Sequence, residues 1–96
     1  MHIDELRKLY NNQCLIVTQH CINRMMERGI ELTEIKQAIA TGEIIEDYPD
    51  DYPYPSALIL GCGLHVVAGI GDGKLWLITA YRPDPSQWDD DLKKRR

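Results

Sequence analysis

Ser56 to Arg82 reads "SALILGCGLHVVAGIGDGKLWLITAYR", and the fold turns on this stretch. Three runs rich in apolar and β-branched residues, "SALILGCG", "LHVVAGI" and "LWLITAYR", are punctuated by glycines. Such runs read as strands. Gly71-Asp72-Gly73-Lys74 carries the Asp-Gly pair of a tight hairpin turn, and Gly61-Cys62-Gly63 predicts a second one. Strands joined by turns this short can only run antiparallel, so the stretch predicts a meander.

Working back from it, "EIIED" from Glu43 adds a fourth strand, and "YPDDYPYP" (Tyr48 to Pro55) is a loop. Its three prolines cannot donate to a ladder. Before residue 43 the period changes to helical. Ile3, Leu6, Leu9 and Tyr10 mark an amphipathic helix that Asn11-Asn12 ends, and "CLIVT" (Cys14 to Thr18) reads as a brief extended segment. Thr18 is placed to cap a second helix, Gln19 to Arg28, stopped by Gly29, with Ile22, Met25 and Met26 on its apolar side. Thr33 reads as the N-cap of a third helix, carrying Ile35, Ala38 and Ile39 and closed by Gly42. The expectation is one α+β domain over residues 1–96, with N-terminal helices packed on a four-stranded antiparallel sheet. Residues 1–42 form the helical part, 43–82 the meander and 83–96 a C-terminal tail.

Simple alternation along the last strand puts Trp76, Ile78 and Ala80 on one face and Leu75, Leu77, Thr79 and Tyr81 on the other. Helices cover one face. The second is either a groove or partner surface, or lies under the first helix or the tail. In the tail, Asp89 to Asp91 precede Lys93 to Arg96, a charge order that suits a short final helix or a solvated end.

The composition, 44% hydrophobic and 27% charged over 96 residues, is that of an ordinary globular protein and excludes a disordered chain. No apolar stretch approaches bilayer length, and the opening "MHIDELRKLY" is not a secretory signal, which points to the cytoplasm. Cys14, Cys21 and Cys62 are odd in number and lack a C-x-x-C pair, against a disulfide framework or a zinc knot; they read as buried or half-buried reduced thiols. The formal net charge of -4 argues against a free nucleic-acid binder. The acids, however, cluster at Glu43 to Asp51 and Asp84 to Asp91, away in sequence from Arg24 and Arg28.

Those arginines belong to "QHCINRMMERGI", where His20, Arg24 and Arg28 recur at steps of four. Such steps drift by about 40° around a helix and form one slanted stripe. Guanidinium groups fork onto phosphate oxygens, and an imidazole beside them can move a proton near neutral pH. The alternative is ion pairing of Arg24 and Arg28 with Glu27, Glu31 or the acidic loop. Counting outward from the Asp72-Gly73 turn sets His65 roughly opposite residue 80 or 81, with Thr79 one step from Tyr81 and Arg82 at the strand's end. A hydroxyl, an imidazole and guanidiniums are the ingredients of phosphodiester cleavage without a metal: a base for the 2′-OH, cations for developing charge, an acid for the leaving oxygen. His65 reads equally as a hydrogen-bonded histidine at a sheet edge. No calcium-loop, nucleophile-elbow, Walker or dinucleotide pattern is present, and His20 with Cys14 and Cys21 has no zinc spacing, so no metal or cofactor is expected.

"TQHCINRMMERGI", "AIATGEIIEDYPDD", "PYPSALILG", "LHVV" and "ITAYRPD", in this order from about Val17 to Trp88, resemble the small bacterial family called domain of unknown function 4258. That family is similar to the barnase- and RelE-like toxin ribonucleases. The resemblance implies helices before a four-stranded antiparallel sheet, with catalytic groups where the two meet. The family's H-x-x-x-R-M-x-x-R pattern falls on His20, Arg24, Met25 and Arg28, its L-H-V-V histidine on His65, and its I-T-x-Y strand on Thr79 and Tyr81. It also implies a small cysteine-rich, zinc-binding antitoxin as partner. The hairpin at Gly61 to Gly63 departs from the family in being short, which weakens any RNA grip that a longer loop there would give.

The resulting expectation is a metal-independent endoribonuclease of toxin–antitoxin type. His20 would act as base or acid, Arg24 and Arg28 would hold the phosphate, and Tyr81 or His65 would complete proton transfer. Arg24, Arg28, Thr79 and Arg82 would contact RNA. The rival expectation is a non-catalytic interaction module that uses the proline–tyrosine loop and an exposed sheet face.

Overall fold

Three residues decide how the helices meet the sheet. The computed structural model describes residues 1–96. After helix α1 (Ile3–Asn11), the segment Leu15–Val17 forms a strand, β1. It runs parallel to the last strand, β5 (Lys74–Tyr81), with Leu15, Ile16 and Val17 opposite Leu75, Trp76 and Leu77. The Leu75 N–H donates to the Cys14 carbonyl at 2.7 Å, and the Thr18 N–H to the Leu77 carbonyl at 3.1 Å. Thr18 then turns the chain. Its hydroxyl donates to the Leu77 carbonyl at 2.9 Å and accepts from the Cys21 N–H at 3.1 Å. The residue that caps α2 (Gln19–Arg28) therefore also ties that helix to β5. Gly29 ends α2 in the left-handed conformation, φ 62°.

Helix α3 (Leu32–Thr41) starts earlier than Thr33 predicts, because Glu31 is its cap. The Glu34 carboxylate reaches back to the Glu31 N–H at 2.8 Å, the reciprocal half of a capping box, and Thr33 lies inside the first turn. At the other end, Arg7 of α1 donates to the carbonyls of Ile39 and Gly42 at 3.0 and 2.8 Å, satisfying groups that a helix terminus leaves open.

β2 (Glu43–Tyr48), β3 (Ser56–Gly61), β4 (Leu64–Gly71) and β5 form the antiparallel meander. Both tight turns are present. Cys62 and Gly63 (φ 54° and 71°) and Asp72 and Gly73 (φ 55° and 71°) hold positive φ at both central positions, the signature of type I′. The sheet order is β1-β5-β4-β3-β2. The expected four-stranded antiparallel sheet is thus a five-stranded mixed one, because the brief "LIV" segment joins the outer edge of β5.

The core lies between the helices and one face of the sheet. Leu6, Cys21, Ile35, Ala38 and Ile39 pack on Ile59, Leu64, Val66, Ala68, Leu75, Leu77 and Ala80. Gly61 lets α3 settle directly on β3: a Cβ there would stand 2.6 Å from the Ala38 carbonyl oxygen. Simple alternation fails on β5. Val67 pairs with Thr79 but Ala68 with Leu77, so Ile78 is an extra, bulged residue. The bulge turns Ala80 to the core with Leu75 and Leu77, and Tyr81 to the opposite face.

Three further expectations are corrected. On α2, Cys21 and Met25 meet the core, whereas Ile22 and Met26 are exposed, Met26 by 79%. Cys62 is exposed, since it sits at a hairpin tip. The tail forms neither a helix nor a solvated end: it folds back over the second sheet face, with Trp88 buried and bridged to Arg95. Lys93 pairs with Glu43 at 2.7 Å and Arg95 with Glu46 at 3.0 Å, so half of the basic run is spent on the acidic strand β2, while Arg96 pairs with Asp90 at 3.1 Å. No helix is long and apolar enough to cross a membrane.

Candidate functional site

Where α2 ends beside β5, an open depression of about 490 Å³ is lined by Arg28, Tyr81, Arg82, Asp84, Gln87 and Trp88. Helix α2 delivers Arg28 because Thr18 fixes its start and Gly29 its stop. The Arg28 guanidinium donates one hydrogen bond to the Ala80 carbonyl at 2.8 Å, which aims it along β5 and leaves other donors of the fork available. Arg82, one residue past β5, pairs with Glu34 at 3.1 Å while half exposed. Hydrogen bonds from the Glu31 N–H and then from Arg82 hold the Glu34 carboxyl below its usual range. Asp84 contributes a negative charge at the rim; the Ser86 N–H, 2.9 Å away, holds its carboxyl low.

Behind Tyr81 stands His65, directly opposite it in the β4–β5 register and fully buried. Trp88 meets the imidazole edge-on at 4.3 Å, and the Arg95 guanidinium lies over the indole at 4.6 Å. The His65 Nε2 lies 2.7 Å from the Leu92 carbonyl and Nδ1 lies 3.2 Å from the Tyr81 hydroxyl. A carbonyl only accepts, so Nε2 carries the proton. In the neutral ring Nδ1 is then an acceptor, and the Tyr81 O–H donates to it. Burial favours that neutral ring and lowers the His65 pKa; burial also raises that of Tyr81. The result is a tyrosine whose hydroxyl hydrogen points inward and whose oxygen lone pairs remain for a ligand in the depression. Leu92 adopts φ 63°, unusual for a side chain of its kind, and in that conformation its carbonyl meets His65.

The sequence-derived residues are divided by this geometry. Arg28, Tyr81 and Arg82 line one depression, with His65 behind. Arg24 pairs with Glu27 at 2.8 Å, one turn before Arg28. His20 lines a separate groove with Thr18, Trp76 and Ile78. Thr79 lies opposite Val67 and lines neither. Sequence reasoning missed Glu46, Trp88, Leu92 and Arg95. Glu46 accepts from Arg95 at 3.0 and 3.1 Å and from the Tyr48 hydroxyl. Arg95 holds the Glu46 carboxyl low, and burial followed by Glu46 pushes Tyr48 up to about 12. Only a tryptophan stranded in an acidic tail hinted at this layer. No group of three or more His, Cys, Asp or Glu side chains is arranged to hold a metal ion.

No curated protein and no solved structure matches the chain. A family model does: the one described as Domain of unknown function (DUF4258) matches residues 17–82, from the end of β1 to the residue after β5 and more than half the chain, and the protein belongs to that family.

Proposed function

We propose that the protein is a metal-independent endoribonuclease of toxin type, acting on RNA in the bacterial cytoplasm and held in check by a small zinc-binding antitoxin. One observation carries the reading: Arg28, Arg82 and a Tyr81 hydroxyl backed by His65 converge on one open depression. The same meeting of helix and sheet is what the likeness to barnase- and RelE-like ribonucleases implies.

In this mechanism the Tyr81 oxygen accepts the 2′-hydroxyl proton as its own proton passes to His65 Nδ1. The 2′-oxygen attacks phosphorus, and Arg28 and Arg82 stabilise the charge that develops on the phosphoryl oxygens. The proton then returns through Tyr81 to the departing 5′-oxygen, leaving a 2′,3′-cyclic phosphate. Burial opposes the buried imidazolium formed in between, and the Leu92 carbonyl and the charge of Glu46 offset part of that cost. His65 is a positioning and relay residue, since it is sealed from substrate. His20 passes from proton transfer to contact with the neighbouring nucleotide, and Arg24 adds charge one turn away.

The test is incubation of RNA with the purified protein in EDTA, with the ends identified. Cyclic phosphate ends that disappear in Tyr81→Phe support the mechanism; intact RNA, or equal cleavage by the variant, overturns it. A second reading, a non-catalytic interaction module, is favoured by Tyr52, 91% exposed on the proline loop, and by exposed Met26. Expression in a bacterial host separates the two. Growth arrest relieved by Tyr81→Phe marks the nuclease, and a non-toxic protein that co-purifies with one partner marks the module.

A further inference from the structure

The groove that takes His20 has a built shape. Its floor is Trp76, Ile78 and Gly69; one wall is the loop Asp51, Tyr52, Pro53 and Tyr54, the other Thr18 and His20. It encloses about 590 Å³, within the range of small-molecule sites. Gly69 leaves the floor bare, and the bulge supplies Ile78 beside it; a Cβ at Gly69 would lie 3.4 Å from the Ile78 side chain. The Trp76 ring is fixed twice. Its indole N–H donates to the Gly71 carbonyl at 2.9 Å, and the Tyr54 ring lies 5.4 Å away at a 32° tilt. Tyr54 fits there because Gly71 has no side chain: a Cβ would stand 2.0 Å from the Tyr54 ring. Tyr52, by contrast, extends into solvent.

We propose that this groove is a nucleobase subsite, holding an unpaired base against Trp76 and Tyr52 while the adjoining phosphate lies at Arg28 and Arg82. The occupant follows from charge and spacing. A preset Trp76 face stacks bases of any kind, and the solvent-exposed Tyr52 can close over the other side. Asp51 lines the groove with no arginine or lysine beside it, whereas Arg28 and Arg82 outweigh Asp84 in the depression, so a base enters the groove and its phosphate stays outside. The Asp51 carboxylate accepts from Ser56 at 2.5 Å and from the Tyr52 N–H at 3.1 Å, which leaves lone pairs for a base amino group. Adenine and cytosine therefore bind better than uracil. From Ile78 to Tyr81 the strand advances roughly 10 Å, a span that a dinucleotide covers. Alongside, α2 carries His20, Arg24 and Arg28 in the same direction, from the groove to the cation depression.

The two tryptophans report separately, since Trp76 lines the groove and Trp88 the depression. The experiment follows their indole N–H signals by NMR as adenosine monophosphate, uridine monophosphate or inorganic phosphate is added. Adenosine monophosphate moves Trp76, uridine monophosphate does so more weakly, and phosphate alone moves only Trp88. Tyr52→Ala, at a fully solvated position, weakens the Trp76 response about 5- to 100-fold. The proposal is overturned if Trp76 ignores both nucleotides, if phosphate alone moves it equally, if Tyr52→Ala has no effect, or if an apolar tripeptide moves it where nucleotides do not. It rests on the ribonuclease reading for the nature of the strand, yet the two fail separately. RNA cleavage with an unmoved Trp76 rejects the subsite alone; a moved Trp76 without cleavage rejects the nuclease alone.

Discussion

Both ring nitrogens of His65 are engaged, and this makes the protein sensitive to mild acid. Its folded pKa lies below the ordinary value because burial penalises the charged ring. The unfolded chain therefore binds a proton more readily, and stability rises with pH between the folded value and about 6.5. That contribution is complete above about pH 6.5 and is lost as the pH falls toward the folded value. Urea midpoints at pH 7.5, 6.5 and 5.5 should fall in that order, beginning before carboxylates such as Glu34 and Glu46 titrate. Tyr81→Phe keeps the ring and removes the hydroxyl, so it should lower RNA cleavage by about 10²- to 10⁴-fold. Because it leaves the buried His65 Nδ1 without its donor, it should also cost about 1–3 kcal/mol of stability. The His65–Tyr81 pairing was nearly legible in the sequence. Counting from the Asp72-Gly73 turn gives residue 80 or 81, and the bulge at Ile78 decides for 81. Nothing local in "WLITAY" announces that bulge.

Among the elements, α3 and β3 touch through glycine, and the two glycines flanking Cys62 separate steric from conformational cost. Gly61→Ala drives a methyl into the Ala38 backbone, which cannot swing aside, and should cost about 3 kcal/mol or more. Gly63→Ala meets nothing and should cost only about 1 kcal/mol, from its positive φ. Chemical denaturation of both variants checks the ordering. The helices and turns were readable because caps, periodicity and Asp-Gly pairs are local signals. The parallel strand β1 was seen only as an extended segment, since three residues cannot name a partner 60 positions away. The tail as cover for the second sheet face was one of the readings and holds, but its own conformation was missed for the same reason. Its charges looked like a helix dipole, while its real anchor is Trp88 against His65. Trp88→Ala should cost roughly 3 kcal/mol and let the His65 pKa rise toward about 6.5, followed by NMR titration.

For the whole molecule, the net charge of -4 and the few cations left for a ligand set the scale of RNA affinity. Lys93, Arg95, Arg96 and Arg24 are engaged with Glu43, Glu46, Asp90 and Glu27, and Arg82 must leave Glu34 to meet a phosphate. With two or three phosphate contacts, the logarithm of the binding constant should fall with the logarithm of salt at a slope of about -2, measurable by fluorescence anisotropy on single-stranded RNA. Composition gave the warning about weak binding, but not which arginines stay available; that depends on contacts between distant segments. The order of strands has a last consequence, in time rather than space. β1 and α2 come early from the ribosome, yet their seat on β5 is made of residues 74–81, and the cover over His65 comes later still. A nascent chain holds Arg28 long before it holds Tyr81. Synthesis from the N-terminus thus keeps any activity of this site silent until the segment through Leu92 has been made.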